Sequence, residues 1–175
     1  GSGVVHAMGG VIGLAGAMII GPRIGKYTKD GRPLPIPAHH VPMVVIGTFI
    51  LAFGWFGFNA GSALAANQSA VLAFTTTVLA PLGTVVTWAL LDLWQNGKVT
   101  GVGTATAIVV GLVAITPAAG FVSVGGSLVI GAAAGAAPFS LSTTAATAPI
   151  PASIEPSASG TPGGTPNSVS KMEMP

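Results

Sequence analysis

Residues 41–62 read Val-Pro-Met-Val-Val-Ile-Gly-Thr-Phe-Ile-Leu-Ala-Phe-Gly-Trp-Phe-Gly-Phe-Asn-Ala-Gly-Ser, without one charged side chain. The charge-free condition continues to residue 91 and holds again from 99 to 154. A helix needs about 20 mostly apolar residues to cross a hydrocarbon core of roughly 30 Å, so each window is long enough for two crossings. Charged residues make up only 6% of the chain and hydrophobic ones 50%. A soluble domain carries about a quarter charged residues, which it needs to face water. The composition therefore predicts an all-α integral membrane protein.

Working outward from this run, five spans are expected, at about 1–20, 41–58, 70–91, 101–115 and 122–137. The first is rich in Gly and Ala (Gly9, Gly10, Gly13, Ala15, Gly16, Ala17). Small residues let helices approach closely in lipid, so this span is expected to pack against protein on most sides. Residues 21–40 follow, with Arg23, Lys26, Lys29 and Arg32. These are four of the chain's six basic side chains, and by the positive-inside tendency the loop is cytoplasmic. Asp92, Trp94 and Lys98 mark a second inner loop over 92–100. Trp88 and Trp94 suit the membrane interface. Pro81 and Gly83 predict a kink in the third span. Thr116-Pro117-Ala118-Ala119-Gly120 reads as a tight outer turn, and the fifth span holds Gly131 and Gly135 in a Gly-x-x-x-Gly spacing.

From residue 138 Ser, Thr, Ala, Pro and Gly dominate, and the expectation is a low-complexity, disordered tail over 138–175. Gly1 enters an apolar run directly, with no initiating Met and no signal peptide. A segment of a longer protein is expected, with the tail standing in place of a natural continuation. The net charge of +2 is too small to suggest a nucleic-acid partner. The lack of cysteine excludes a disulfide framework.

His6 is the most informative polar residue. It lies in an apolar span roughly fourteen residues before the inner end, about 20 Å along the helix axis. Ionisable groups at membrane depth usually line a pathway. The plainer reading is a packed His bonded to a neighbouring carbonyl. Trp55, Phe58 and Ser62 stand at i, i+3 and i+7, on one face if the helix continues through Ser62. Aromatic faces attract cations, and a serine hydroxyl can accept a hydrogen bond from an ammonium N–H. Interfacial aromatics at a helix end are the equally available alternative. Thr106, in a Gly/Ala-rich span, is read first as bonding the carbonyl one turn back. His39 and His40 lack an accompanying acid or Cys, so no metal site is expected, and no cofactor. No paired carboxylate, activated nucleophile or phosphate loop is present, so the chain is not read as an enzyme.

Three stretches resemble one known family. Gly-Ser-Gly-Val-Val-His at 1–6 with Gly21-Pro22-Arg23-Ile24-Gly25, then Gly54-Trp55-Phe56-Gly57-Phe58-Asn59-Ala60-Gly61-Ser62, then Thr116-Pro117-Ala118-Ala119-Gly120, are similar in order and spacing to the ammonium transporter (Amt/Mep/Rh) family over about 1–137. The resemblance implies an eleven-helix inverted-repeat fold, of which 1–137 would be helices five to eight and most of nine. It implies a homotrimer with one pore per subunit in the cell membrane, carrying ammonium or ammonia, with a PII-type regulator as a possible partner. It implies that His6 is one of two pore histidines in a proton relay. Trp55 would line the pore, Phe58 would belong to an outer aromatic gate, Ser62 to an outer ammonium site, and Thr106 would take a pore-side position. The second pore histidine, the partner phenylalanine of the gate and the regulatory tail have no counterpart here, so these residues alone are not expected to conduct. A non-conducting ammonium sensor is the alternative function.

Overall fold

The computed structural model describes residues 2–28, 30–34 and 36–147. They form five α-helices: α1 Ser2–Ile20, α2 Val41–Asn59, α3 Gln68–Asn96, α4 Gly101–Ile115 and α5 Val124–Thr147. One 3₁₀ turn, Gly61–Ala63, follows α2. No named strand occurs among the described residues; a single bridge joins Tyr27 to Pro33. Three helices are long and apolar enough to cross a membrane: Gly3–Ile20, Val41–Ala63 and Gln68–Asn96. The 15-residue α4 and the apolar part of α5, Val124–Ser140, are shorter. At 1.5 Å per residue α4 reaches only about 22 Å.

Helix starts follow from capping side chains. Asn67 accepts from the Ala70 amide at 3.0 Å, Thr100 from Gly103 at 3.1 Å and Ser123 from Gly126 at 3.1 Å. Each satisfies an amide that has no partner inside its helix. At α2 the His40 imidazole does the same for Met43 at 3.1 Å, with Pro42 in the first turn. Helix α3 stops where Gly97 takes φ 67°, a left-handed conformation that glycine adopts without steric cost.

Helix α3 is the centre of the packed region, flanked by α5 and α4. Close approach is set by glycine. A Cβ added at Gly131 would collide with the Ala80 carbonyl, and one at Gly83 would lie 2.6 Å from the Leu128 carbonyl oxygen. At Gly135 it would stand 2.9 Å from the Thr84 carbonyl. The Gly-x-x-x-Gly pair is thus a helix contact face. Thr84, wholly buried, shares its hydroxyl proton between the Ala80 carbonyl and the Gly131 carbonyl of α5, at 3.0 and 2.8 Å. Helix α3 runs through Pro81 without a break.

At its far end α3 is tied to α4 by Asp92, which is 3% exposed. Its Oδ2 accepts from the Thr100 amide at 2.9 Å and the Thr100 hydroxyl at 2.8 Å, and its Oδ1 from Asn96 at 2.8 Å. A carboxylate at the start of α4 also suits that helix's positive end.

Several expectations are corrected. Helix α5 continues ten residues past the boundary placed at 137. Pro138 lies inside it, and Phe139, 5% exposed, meets Trp88 edge to face at 5.2 Å. Burial of that aromatic pair, with Ala-rich helical propensity around it, offsets the amide lost at proline. Trp88 is consequently a core residue rather than an interfacial one, while Trp94 is exposed. The expected disorder over 148–175 lies outside the described residues. Helix α1 does not pack on most sides: no residue of Gly3–Ile20 is buried, and a Cβ at Gly9, Gly10, Gly13 or Gly16 would meet nothing. Its small-residue face finds no partner among the described residues.

Candidate pore site

His6 sits in the second turn of α1, and Trp55 and Phe58 in the last turns of α2, one helical turn apart. The three rings meet. His6 stacks on Trp55 with centroids 5.5 Å apart and planes at 19°. Phe58 presents its edge region to both, 6.0 Å from His6 and 5.8 Å from Trp55. Such offset and edge-to-face arrangements suit the ring quadrupoles.

The indole is held in place from α4. Trp55 Nε1 donates to the Thr116 hydroxyl at 2.8 Å, and that hydroxyl donates to the Leu112 carbonyl at 2.6 Å. Thr116 is 4% exposed, so the chain of bonds is shielded from water. With its one polar atom engaged on α4, the indole offers His6 only its π face.

The imidazole is different. His6 Nε2 is buried and has no hydrogen-bond partner among the described residues. Buried polar nitrogens are normally paired, because leaving one unpaired costs about 1–3 kcal/mol. His6 lines a cavity of about 290 Å³ together with Ile50, Leu51, Gly54, Trp55 and Phe58. Apart from the imidazole and the already bonded indole N–H, that lining is hydrocarbon and aromatic carbon.

Ser62 does not share this cavity. Helix α2 ends at Asn59, and Gly61–Ala63 is a 3₁₀ turn, so the expected continuous face through Ser62 does not form. The tighter turn advances each residue by about 120°, which carries Ser62 off the Trp55 and Phe58 row. Its hydroxyl donates to the Phe58 carbonyl. Ser62 lines instead a second cavity of about 210 Å³, with Phe58, Asn59, Thr116 and Pro117 among its walls. Phe58 and Thr116 therefore connect the two: Phe58 lines both cavities, and Thr116 anchors the wall between them. Thr106 lies on the exposed side of α4, donates to the Val102 carbonyl at 2.9 Å and lines neither cavity.

Two polar residues here were not singled out from sequence. Thr116 appeared only as part of a turn, yet it fixes Trp55 across 61 positions. Asn59 is buried at the end of α2 and donates to the Thr77 hydroxyl at 3.0 Å, joining α2 to α3 beside the outer cavity. Its sequence signal was an Asn inside an otherwise apolar, aromatic helix end. Among the described residues no group of His, Cys, Asp or Glu is arranged to hold a metal.

Known proteins share this sequence and fold. A family model described as the Ammonium Transporter Family matches residues 1–147. Ammonium transporter Amt2 of Archaeoglobus fulgidus is 50% identical over 137 residues, 77% of this chain and 29% of that protein. An ammonium transporter of Aquifex aeolicus is 49% identical over 134 residues, 77% of this chain and 30% of its own. Among solved structures, one titled Sensor Amt Protein superposes with a TM-score of 0.78 at 35% identity, covering 82% of this chain and 36% of that one. Mep2 of Saccharomyces cerevisiae gives 0.57 at 41% identity, covering 62% and 26%. The chain thus spans about three-tenths of the length of these curated relatives, which are transporters and not enzymes. With a match from the first residue through the last described turn of α5, this multi-pass membrane chain belongs to the ammonium transporter family.

Proposed function

We propose that this chain supplies one wall of a transmembrane path for ammonium or ammonia, with His6 as the hydrogen-bonding and proton-relaying group. The single observation that carries the reading is the buried His6 Nε2, unpaired beside an apolar cavity and stacked on a fixed indole. Potassium and ammonium are alike in charge and size, so a field alone separates them poorly. Ammonium differs in its N–H donors and its removable proton. A bare cation loses its hydration in an apolar constriction at heavy cost. A neutral imidazole nitrogen can accept a hydrogen bond from the substrate while the ring's other nitrogen donates. Ammonia can then pass through the apolar section while its proton moves separately along imidazole.

In this reading Phe58 is the lid between the two cavities, Trp55 the wall that orients His6, and Ser62 the outer hydroxyl that accepts from arriving ammonium. Thr106 takes a more distant pore-side position. The cavity beside His6 is open on one side, so the remaining lining, including a second histidine, comes from further chain. The assembly is a homotrimer in the cell membrane with residues 21–40 and 92–100 on the cytoplasmic side, where a PII-type regulator could dock.

A second reading is favoured by the likeness to the structure titled Sensor Amt Protein: the site binds ammonium without passing it. Proteoliposomes containing the full-length protein separate the two. Ammonium-driven flux across the vesicle wall supports transport, whereas saturable ammonium binding without flux assigns the chain to sensing.

A further inference from the structure

The two hydrogen bonds that close the start of α2 both end on His40. The Met43 amide donates to His40 Nδ1 at 3.1 Å, and the Val44 amide reaches the His40 carbonyl oxygen only at 3.4 Å. Pro42, between them, has no amide proton to contribute. Backbone bonds cluster near about 2.9 Å, so the long Val44 contact is weak and the imidazole carries most of the cap. The other side-chain caps among the described residues are Asn67, Thr100 and Ser123, whose oxygens accept at any ordinary pH. His40 is the cap that can lose its lone pair by taking up a proton.

An imidazole that accepts at Nδ1 is neutral, with its one proton on Nε2. Imidazole is also the side chain that changes charge between about pH 5 and 8. Protonation at Nδ1 takes the acceptor away from the Met43 amide and sets a positive charge at the positive end of the helix dipole. The cap is therefore present at the alkaline end of that range and lost as the pH falls. Nothing around the ring offsets the added charge. The His39 ring stands edge to face with it, centroids 6.4 Å apart, and would add a like charge. Helices α2 and α4 carry no charged side chain. In the turn before α4, Lys98 is a cation, and the Asp92 oxygens are engaged by Thr100 and Asn96. Asp30, in the preceding segment, makes no ion pair with His40.

The first turn of α2 is also what that helix presents to the start of α4. A Cβ added at Gly101 would lie 2.9 Å from Val41 Cγ1, so Val41 rests directly on the α4 backbone. One turn further on, Val45, Thr48 and Phe49 of α2 line a cavity of about 220 Å³ with Gly101, Thr104 and Ala105 of α4. We infer that His40 is a pH-sensitive latch: neutral, it closes the first turn of α2 onto α4, and protonated, it lets residues 41–44 fray and opens this end of the seam.

Amide hydrogen exchange of the full-length protein in lipid nanodiscs, corrected for the intrinsic effect of pH, reads the latch in residues 41–48. Loss of a helix cap costs about 1 kcal/mol, or about fivefold in local opening. The wild type should therefore exchange about fivefold faster at about pH 5.5 than at about pH 8, within the imidazole range. The Ser123-capped start of α5 should not respond. His40→Asn, which caps without titrating, should stay slow at both pH values, and His40→Ala should be fast at both. His39→Asn should keep the wild-type response. Equal wild-type protection at both pH values overturns the inference, as does an acid response of the same size in His40→Asn or at the start of α5.

Discussion

A buried, unpaired imidazole nitrogen in an apolar setting is costly, and its neighbours explain how it is kept. Stacking on Trp55 restrains the ring, and Trp55 is itself restrained by Thr116. Thr116→Val preserves side-chain shape and removes the acceptor, leaving a buried indole N–H without its partner, a cost of about 1–3 kcal/mol. In the full-length protein this substitution should lower methylammonium uptake about tenfold, with the protein still folded. Uptake at the wild-type rate would show that the indole does not need that bond. How much of this was legible in sequence differs by residue. Trp55 and Phe58 share a helix face by spacing alone. That His6, some fifty positions earlier, meets them came from family resemblance, because no periodicity links two helices. Thr116 was invisible as a partner for the same reason, and the switch from α to 3₁₀ geometry before Ser62 leaves no strong sequence mark.

Among the helices, backbone proximity decides the packing. Gly131→Ala places a methyl group into the Ala80 carbonyl, and such overpacking typically costs about 1–3 kcal/mol. Gly125→Ala meets nothing within 4 Å and serves as its control. Thermal unfolding in detergent should fall for the first and stay level or rise for the second; equal midpoints would contradict a tight α3–α5 contact. The Asp92 clamp permits a separate test. Asp92→Ala strands the Thr100 amide and hydroxyl and the Asn96 amide, each bonded to the carboxylate here. Because bonds to charged groups contribute about 1.5–3 kcal/mol, a loss of roughly that size is expected, read as a lower unfolding midpoint. Helix positions were readable because charge-free windows mark them. The true reach of α5 was not, since Ser, Thr and Ala suit a loose tail and a packed small-residue helix equally. Only the burial of Phe139 against Trp88 distinguishes the two, and that contact joins positions far apart in the chain.

At the scale of the whole molecule, α1 stands apart from the packed α3–α4–α5 group, and its first turns approach α2 and the turn after α4. His6 reaches α2, and Gly3 comes close to Pro117, where an added Cβ would lie 3.3 Å from the proline ring. The length of α1 and the open side of the His6 cavity are both left uncovered among the described residues. That matches a chain covering about three-tenths of its relatives' length. The measurement that bears most directly on the central claim compares ammonium and potassium conductance in proteoliposomes of the full-length protein and its His6→Ala variant. The account predicts ammonium passage with potassium excluded in the wild type, and loss of either ammonium flux or potassium exclusion when the imidazole is removed. Unchanged ammonium flux together with unchanged exclusion of potassium in His6→Ala would contradict it.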